Sequence, residues 1–289
     1  MHYGPQYGHA YTMPHPPPPD PPERPEGLPG FPRWPVWYAP AAFCTGLVAL
    51  TILAGIAGAA TGGDIGTGTG LILTVALEAV FVSIAVFFAS RTERPRPAHF
   101  GLRSAPLWRT VGWAALGWVT FLVVSAAYGA LIEDRPKQPL LNDIKSEDDA
   151  ILVVGFAVLA IVCAPIAEEF FFRGFFYRAL RSRMSVLVAA VLDGIIFGLI
   201  HYDGSGTLVA LPVLAGLGFT FCLVYEKTGT LFSTIGLHAL NNTIAVGVAT
   251  DDWGLALGLG LSMLVACVVL PRLLGTGARR PPARAPARA

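Results

Sequence analysis

The hydrophobic positions of this chain fall into eight long apolar runs that are separated by polar segments. They cover residues 37–60, 69–90, 110–132, 150–177, 184–202, 206–225, 229–249 and 253–270. A helix rises about 1.5 Å per residue, so about 20 residues cross the ~30 Å hydrocarbon core of a bilayer. Because backbone groups inside lipid must pair within the segment, the runs predict helices rather than strands. The pattern predicts an all-α polytopic membrane protein with about eight transmembrane helices.

The composition of the chain agrees with a membrane protein. Charged residues make up 13% of the 289 residues, apolar residues make up 54%, and the mean hydropathy is +0.58. A soluble domain carries about 25% charged residues, so an ordinary cytosolic enzyme is excluded. The net charge of +1 indicates no basic surface for nucleic acid. The expected partner is therefore the lipid bilayer, with no role for nucleic acid.

The apolar runs and their flanks divide the chain into four zones. Residues 1–36 are rich in proline, which fixes φ and removes a backbone donor, so a disordered cytoplasmic tail is predicted. Residues 37–149 hold the N-terminal transmembrane helices and an acidic loop. Residues 150–270 form a second group of transmembrane helices, and residues 271–289 are predicted to be a basic disordered tail.

The distribution of lysine and arginine predicts the orientation. With a cytoplasmic N-terminus, 16 basic residues fall in cytoplasmic segments and three fall outside, namely Arg135, Lys137 and Lys145. Cytoplasmic loops carry an excess of basic residues. Both termini are therefore expected on the cytoplasmic side of an integral membrane protein, in a bacterial plasma membrane.

A few polar and charged residues lie inside the apolar runs. A charge at bilayer depth costs at least ~2.5–3.5 kcal/mol and indicates a functional site. From the helix rise, Glu168, His201, His238 and Asn242 lie at depths of roughly 14–25 Å. Three separate helices thus bring polar groups near the middle of the membrane, which predicts one shared pocket. The charges inside the runs are Glu78, Glu168, Glu169, Arg173 and Asp193.

The spacing of these residues suggests how they divide their roles. Glu169 and Arg173 are separated by four positions and can form an ion pair, while Glu168 is rotated by about 100° and stays available as a base. His238 and Asn242 are also four positions apart and can face one cavity. A carboxylate, histidines and an asparagine suit hydrolysis of an amide by activated water. Spacing alone leaves open a zinc site formed by Glu168, His201 and His238.

Three motifs stand in order on these runs: EEFFFR from Glu168 to Arg173, FGLIH from Phe197 to His201, and HALNN from His238 to Asn242. Together they fit EExxxR, FxxxH and HxxxN. In this order the chain resembles the CPBP family of intramembrane proteases, also called the Abi or CAAX-protease family, to which the Ras-converting enzyme belongs. The resemblance covers roughly residues 150–249, so residues 150–270 become the expected catalytic core.

The resemblance implies peptide-bond hydrolysis without a covalent intermediate. It assigns Glu168 as the general base, assisted by His201, and pairs Glu169 with Arg173 in support. His238 and Asn242 would form the oxyanion hole. No cofactor is expected, because no strong ligand beyond two histidines and Glu168 is evident, although members are also described as zinc enzymes. The expected substrate is a membrane-associated peptide or protein.

The resemblance does not account for two charged residues, and two alternative functions are also considered. Asp193 stands where a small or hydroxyl residue is expected, and it can pair with an arginine such as Arg173 or Arg178 or line a water path. Glu78 lies outside the motifs and is interpreted as a snorkelling or protonated helix-contact residue. The alternative functions are a proton-coupled transporter, disfavoured by the absence of internal repeats, and a non-catalytic scaffold or immunity protein on the same fold.

Overall fold

The computed structural model describes residues 34–132, 149–202 and 208–273, and these ranges contain eight long helices and no strand. The predicted tails, the acidic loop and the turn at 203–205 lie almost wholly outside them. We number the helices in chain order: α1 Tyr38–Thr61, α2 Thr67–Ser90, α3 Leu107–Leu131, α4 Ala150–Arg181, α5 Val186–Leu199, α6 Leu211–Thr228, α7 Leu231–Thr250 and α8 Trp253–Leu273.

The fold is that of an all-α polytopic membrane protein, as the sequence predicts. Six of the described helices, α1 to α4, α7 and α8, are long and apolar enough to cross a membrane. Helix α5 is apolar but has only 14 residues, which is roughly 21 Å of helix. Large apolar side chains such as Ile72 and Val123 are exposed on the outer helix faces. Such a surface suits lipid rather than water.

Helix α4 is the central helix, and it is not a regular α-helix along its whole length. It contains two π-helical segments, Leu159–Cys163 and Phe170–Phe176. π-Helical turns are rare in proteins, and those that do occur often lie at functional sites. The second segment carries an aromatic stripe in which Phe171, Phe172 and Phe175 are fully buried. These rings therefore form the core of the bundle and do not face lipid.

Helices α5 and α6 approach each other closely at glycines. A Cβ atom on Gly194 would lie 2.5 Å from the carbonyl oxygen of Ala215 and 2.8 Å from the backbone nitrogen of Phe219. Any larger residue would push the two backbones apart. The close approach brings Asp193 of α5 next to Cys222 of α6, where the thiol donates to the carboxylate at 3.1 Å.

The connector between α2 and α3 makes hydrogen bonds to the second half of the chain, where α6 ends and α7 begins. It contains a short 3₁₀ helix, Pro97–Phe100, whose last carbonyl oxygen accepts from the hydroxyl of Tyr225 at 3.2 Å. Gly101 then accepts from the backbone nitrogen of Leu231 at 2.8 Å. Arg103 donates to the carbonyl oxygen of Gly229, and burial lowers the pKa of this arginine. The connector thus fixes the ends of α6 and α7.

Candidate active site

The six site residues come from three parts of the bundle, and the structure brings them around one region. Helix α4 supplies Glu168, Glu169 and Arg173, and helix α7 supplies His238 and Asn242. His201 was expected inside a helical run that reaches residue 202. Helix α5 ends at Leu199 instead, so His201 lies in the turn just beyond it.

Glu169 is the residue that connects α4 to α7. Its Oε1 atom accepts from Nη1 of Arg173 at 2.8 Å, which is the ion pair expected from the spacing. The same oxygen lies 3.1 Å from Nδ1 of His238. The side chains of Glu169 and Arg173 are fully buried. Glu169 therefore orients the His238 ring as well as pairing with Arg173, a second contact that the sequence does not indicate.

Glu168 points to a different neighbour from Glu169. Its Oε2 atom lies 4.0 Å from Nε2 of His201, and the two side chains are 11% and 31% exposed. This oxygen has no hydrogen-bond partner within the described ranges. The neighbouring carboxylates are thus separated, with Glu169 held by Arg173 and His238 and Glu168 facing His201.

The His201 ring is oriented by its own chain. Nδ1 lies 2.8 Å from the carbonyl oxygen of Phe197, and the two rings pack with centroids 4.9 Å apart. Because a carbonyl oxygen only accepts, Nδ1 carries the proton, and Nε2 of the neutral ring is an acceptor. With the ring neutral, Nε2 of His201 and the Glu168 carboxylate face each other as two acceptors.

Asn242 is fixed by the first π-helical segment of α4. Its Nδ2 atom donates to the carbonyl oxygen of Ala160 at 2.8 Å, and its Oδ1 atom accepts from Nδ2 of Asn241 at 3.3 Å. The amide group has two N–H donors, so one remains for a ligand. Nothing in the sequence marks the Ala160 carbonyl, because its availability depends on the local helix geometry.

Asp193 pairs with Arg173, one of the two partners that the sequence allows. Its Oδ1 atom lies 3.5 Å from Nε of Arg173, and both side chains are fully buried. The other candidate, Arg178, instead donates to the carbonyl oxygen of His99. The structure also adds Gly218, whose carbonyl oxygen accepts from Nη2 of Arg173 at 2.9 Å.

Glu78 is buried on α2 and does not snorkel to the membrane surface, so that part of its interpretation is wrong. Only 9% of the residue is exposed. It interacts electrostatically with Glu168, and its Oε2 atom has no hydrogen-bond partner in the described part of the chain. The reason is the packing of α2 against α4, which places Glu78 on the inner face of α2.

The alternative zinc set does not fit this arrangement. Among the residues that the structure describes, no three His, Cys, Asp or Glu side chains are grouped closely enough to hold a metal ion. His201 lies beside Glu168, whereas His238 is directed to Glu169. Glu168, His201 and His238 thus do not converge on one point.

Comparison with known proteins finds a family that is similar to the part of the chain that carries the site. Residues 150–244, which carry all three motifs, match the family model described as type II CAAX prenyl endopeptidase, Rce1-like. This part of the chain is therefore similar to the family that the three motifs indicate. The match contains all six site residues of α4, α7 and the turn after α5, while Glu78 lies outside it.

Two relatives from Bacillus subtilis (strain 168) support the same grouping. One is named "Putative membrane peptidase YdiL" and is 30% identical over 119 residues, which are 41% of this chain and 45% of the relative. The other, "Uncharacterized protein YyaK", is 31% identical over 104 residues, 33% of this chain and 35% of the relative. The matches thus span less than half the length of these curated relatives. No solved structure matches the chain.

Proposed function

We propose that this CPBP-family protein is an intramembrane endopeptidase that hydrolyses a peptide bond with water activated by Glu168. The observation that carries the proposal is the pair of acceptors formed by Glu168 and His201, 4.0 Å apart. This pair lies beside His238, whose ring is oriented by the Glu169 carboxylate. The match to the CAAX endopeptidase family supports peptide-bond hydrolysis as the reaction.

The spacing of the two acceptors suits one water molecule that donates a hydrogen bond to each, since such bonds are about 2.7–2.8 Å long. Glu168 takes a proton from this water while the oxygen attacks the carbonyl carbon of the scissile bond. A C–O bond forms, and the carbonyl oxygen becomes an oxyanion. Glu168 then gives the proton to the leaving nitrogen as the C–N bond breaks.

His238 and Asn242 are the proposed donors to the oxyanion. Glu169 accepts from Nδ1–H of His238, so the ring presents Nε2 to the substrate, and the proposed donor is the doubly protonated ring, whose Nε2–H bonds to the oxyanion. The second donor is the N–H of Asn242 Nδ2 that is not bonded to the Ala160 carbonyl oxygen. Donors that are fixed before the reaction stabilise the developing charge without reorganisation.

We propose a membrane-associated peptide or protein as the substrate. Glu168 lies within α4, which is long and apolar enough to span a membrane. The scissile bond therefore has to reach the carboxylate within or beside the bilayer. The direct test is cleavage of a peptide library by the purified full-length protein in detergent. Cleavage products from the native protein support the function, whereas no cleavage of any peptide would favour a scaffold or a transporter.

We propose that the reaction needs no metal ion, and the support is that His201 faces Glu168 whereas His238 is held by Glu169. Cleavage is therefore expected to stay within about 2-fold of its original rate after dialysis against a strong zinc chelator. The measurement is the initial cleavage rate before dialysis, after dialysis, and after zinc is added back. Loss of activity that zinc restores would contradict the metal-free mechanism, and a zinc peptidase treated in parallel controls for the chelator.

We also propose that both termini are cytoplasmic, in a bacterial plasma membrane. The excess of basic residues in the predicted cytoplasmic segments and the bacterial relatives support this orientation. A topology reporter fused after Leu140, between α3 and α4, should read extracytoplasmic. A matched fusion after Arg94, between α2 and α3, should read cytoplasmic. The opposite pair of readings would reverse the orientation, and equal readings would remove α3 as a span.

A further inference from the structure

Asp193 lies outside all three family motifs, yet it is part of the most buried charged cluster in the described chain. The residue is fully buried on α5. Its carboxylate lies 3.5 Å from Nε of Arg173 and accepts from the thiol of Cys222 at 3.1 Å. Neither contact involves the reacting groups directly, so any role in the reaction has to act through Arg173.

The guanidinium of Arg173 is held on three edges by three helices. Nη1 donates to Glu169 on α4 at 2.8 Å, Nη2 donates to the Gly218 carbonyl on α6 at 2.9 Å, and Nε faces Asp193 on α5. The ring of Phe197 lies 4.4 Å from the guanidinium carbon, so the plane is covered as well. Nε has no hydrogen-bond partner among the described residues, so its contact with Asp193 is an ion pair. A planar fork has one orientation that faces all three partners at once.

The Arg173 guanidinium is linked to the His238 ring through one oxygen atom of Glu169. Oε1 of Glu169 receives Nη1 of Arg173 and also lies 3.1 Å from Nδ1 of His238. Phe197 contacts the Arg173 guanidinium and also packs against the His238 ring, with centroids 5.8 Å apart. A rotation of the guanidinium would therefore move Glu169 and, with it, His238.

Stability alone does not account for Asp193. Glu169 and Arg173 already form a buried pair of opposite charge, and burying a second carboxylate costs desolvation that only good pairing recovers. A small or hydroxyl residue at this position would avoid that cost. We propose that Asp193 is a positioning residue, which fixes Arg173 and through Glu169 holds His238 in the orientation that binds the oxyanion. The proposal rests on the proposed function.

The kinetic test is Asp193→Asn, which keeps the shape of the side chain and removes its charge. Groups that orient a metal-binding histidine through its other ring nitrogen typically change activity by ~10-fold or more, and we apply the same scale to His238. We expect kcat to fall about 10-fold while KM changes less than 2-fold. The matched control is Asp64→Asn, since Asp64 is an exposed aspartate in the α1–α2 loop. It should leave both constants unchanged. A Asp193→Asn variant with native kcat would overturn the proposal.

A double-mutant cycle separates positioning from a general loss of structure. If Asp193 acts through Glu169, Asp193→Asn should cost less than 2-fold in a Glu169→Gln background, because residues in one network are not additive. In an Asn242→Ala background it should still cost about 10-fold, since Asn242 bonds to Ala160 and not to this cluster. Equal costs in all backgrounds would show a merely structural role and contradict the proposal.

Nuclear magnetic resonance of ¹⁵N-histidine-labelled protein tests the same idea without any substrate. The His238 ring signals are assigned with His238→Gln. Asp193→Asn should shift the Nδ1 signal of His238, which reports its bond to Glu169, and leave the His201 signals in place. An unchanged His238 signal would contradict the proposal. A shifted signal in a protein that cleaves no peptide would support the positioning of His238 while the endopeptidase function fails.

Discussion

The change Glu168→Gln should reduce kcat by roughly 10²–10⁴-fold, the range that general-base catalysis supplies. Glutamine has the shape of glutamate but cannot take the proton of water. The fold should survive, because Oε2 of Glu168 has no hydrogen-bond partner within the described residues and the side chain is partly exposed. The measurement is kcat on a cleaved peptide, together with the thermal unfolding midpoint of the same preparation.

The matched control for this change is Glu93→Gln, because Glu93 is an exposed glutamate in the connector that follows α2. It should cleave at the native rate and unfold at the native temperature. A Glu168→Gln protein that keeps kcat within 2-fold of the native value would refute Glu168 as the base. A Glu168→Gln protein that also unfolds at a much lower temperature would point to a structural role instead.

The helices are the part of the structure that the sequence predicts best. Their lengths are set by the thickness of the bilayer, so runs of about 20 apolar residues identify them directly. The predicted run 150–177 begins where α4 begins and ends four residues short of Arg181. The π-helical turns at Leu159–Cys163 and Phe170–Phe176 were not predicted, because an added residue per turn leaves no mark on an apolar run.

The sequence predicted which residues form the site better than it predicted the contacts between them. Motif spacing gives the face of a helix on which a residue lies, and it identifies the pairing of Glu169 with Arg173 within α4. It does not give the rotation of α4 relative to α7. The contact between Glu169 and His238 therefore had to come from the packed bundle. For the same reason the partner of Asp193 stayed open between two arginines.

Glu78 and Cys222 show the other limit of sequence reasoning. Both lie in apolar runs without a motif, and each could equally be a packing residue. Only the packing of α2 against α4 brings Glu78 into electrostatic contact with Glu168. Only the close approach of α5 and α6 at Gly194 brings Cys222 to Asp193. Such contacts depend on which helices are neighbours, and the hydrophobic pattern does not contain that information.

The change Arg173→Met should destabilise the protein by roughly 3–5 kcal/mol, the cost of leaving a buried charge without its partner. Methionine fills a similar volume but leaves two fully buried carboxylates, Glu169 and Asp193, without the guanidinium between them. The Gly218 carbonyl loses its donor as well. The measurement is the free energy of unfolding in mixed micelles, with Arg183→Met as the control, since Arg183 is exposed in the turn after α4.

A triple variant shows whether the cost comes from charge or from packing. Removing both carboxylates with Glu169→Leu and Asp193→Val should restore most of the stability lost in Arg173→Met, because a buried ion cluster can be replaced by apolar groups of similar volume at little cost. It should not restore cleavage, because His238 then loses the carboxylate that orients it. If the triple variant is no more stable than Arg173→Met, the loss arises from packing around the arginine and not from uncompensated charge. If it recovers cleavage, Glu169 does not orient His238, and the proposed link between the buried charges and the oxyanion donor is wrong.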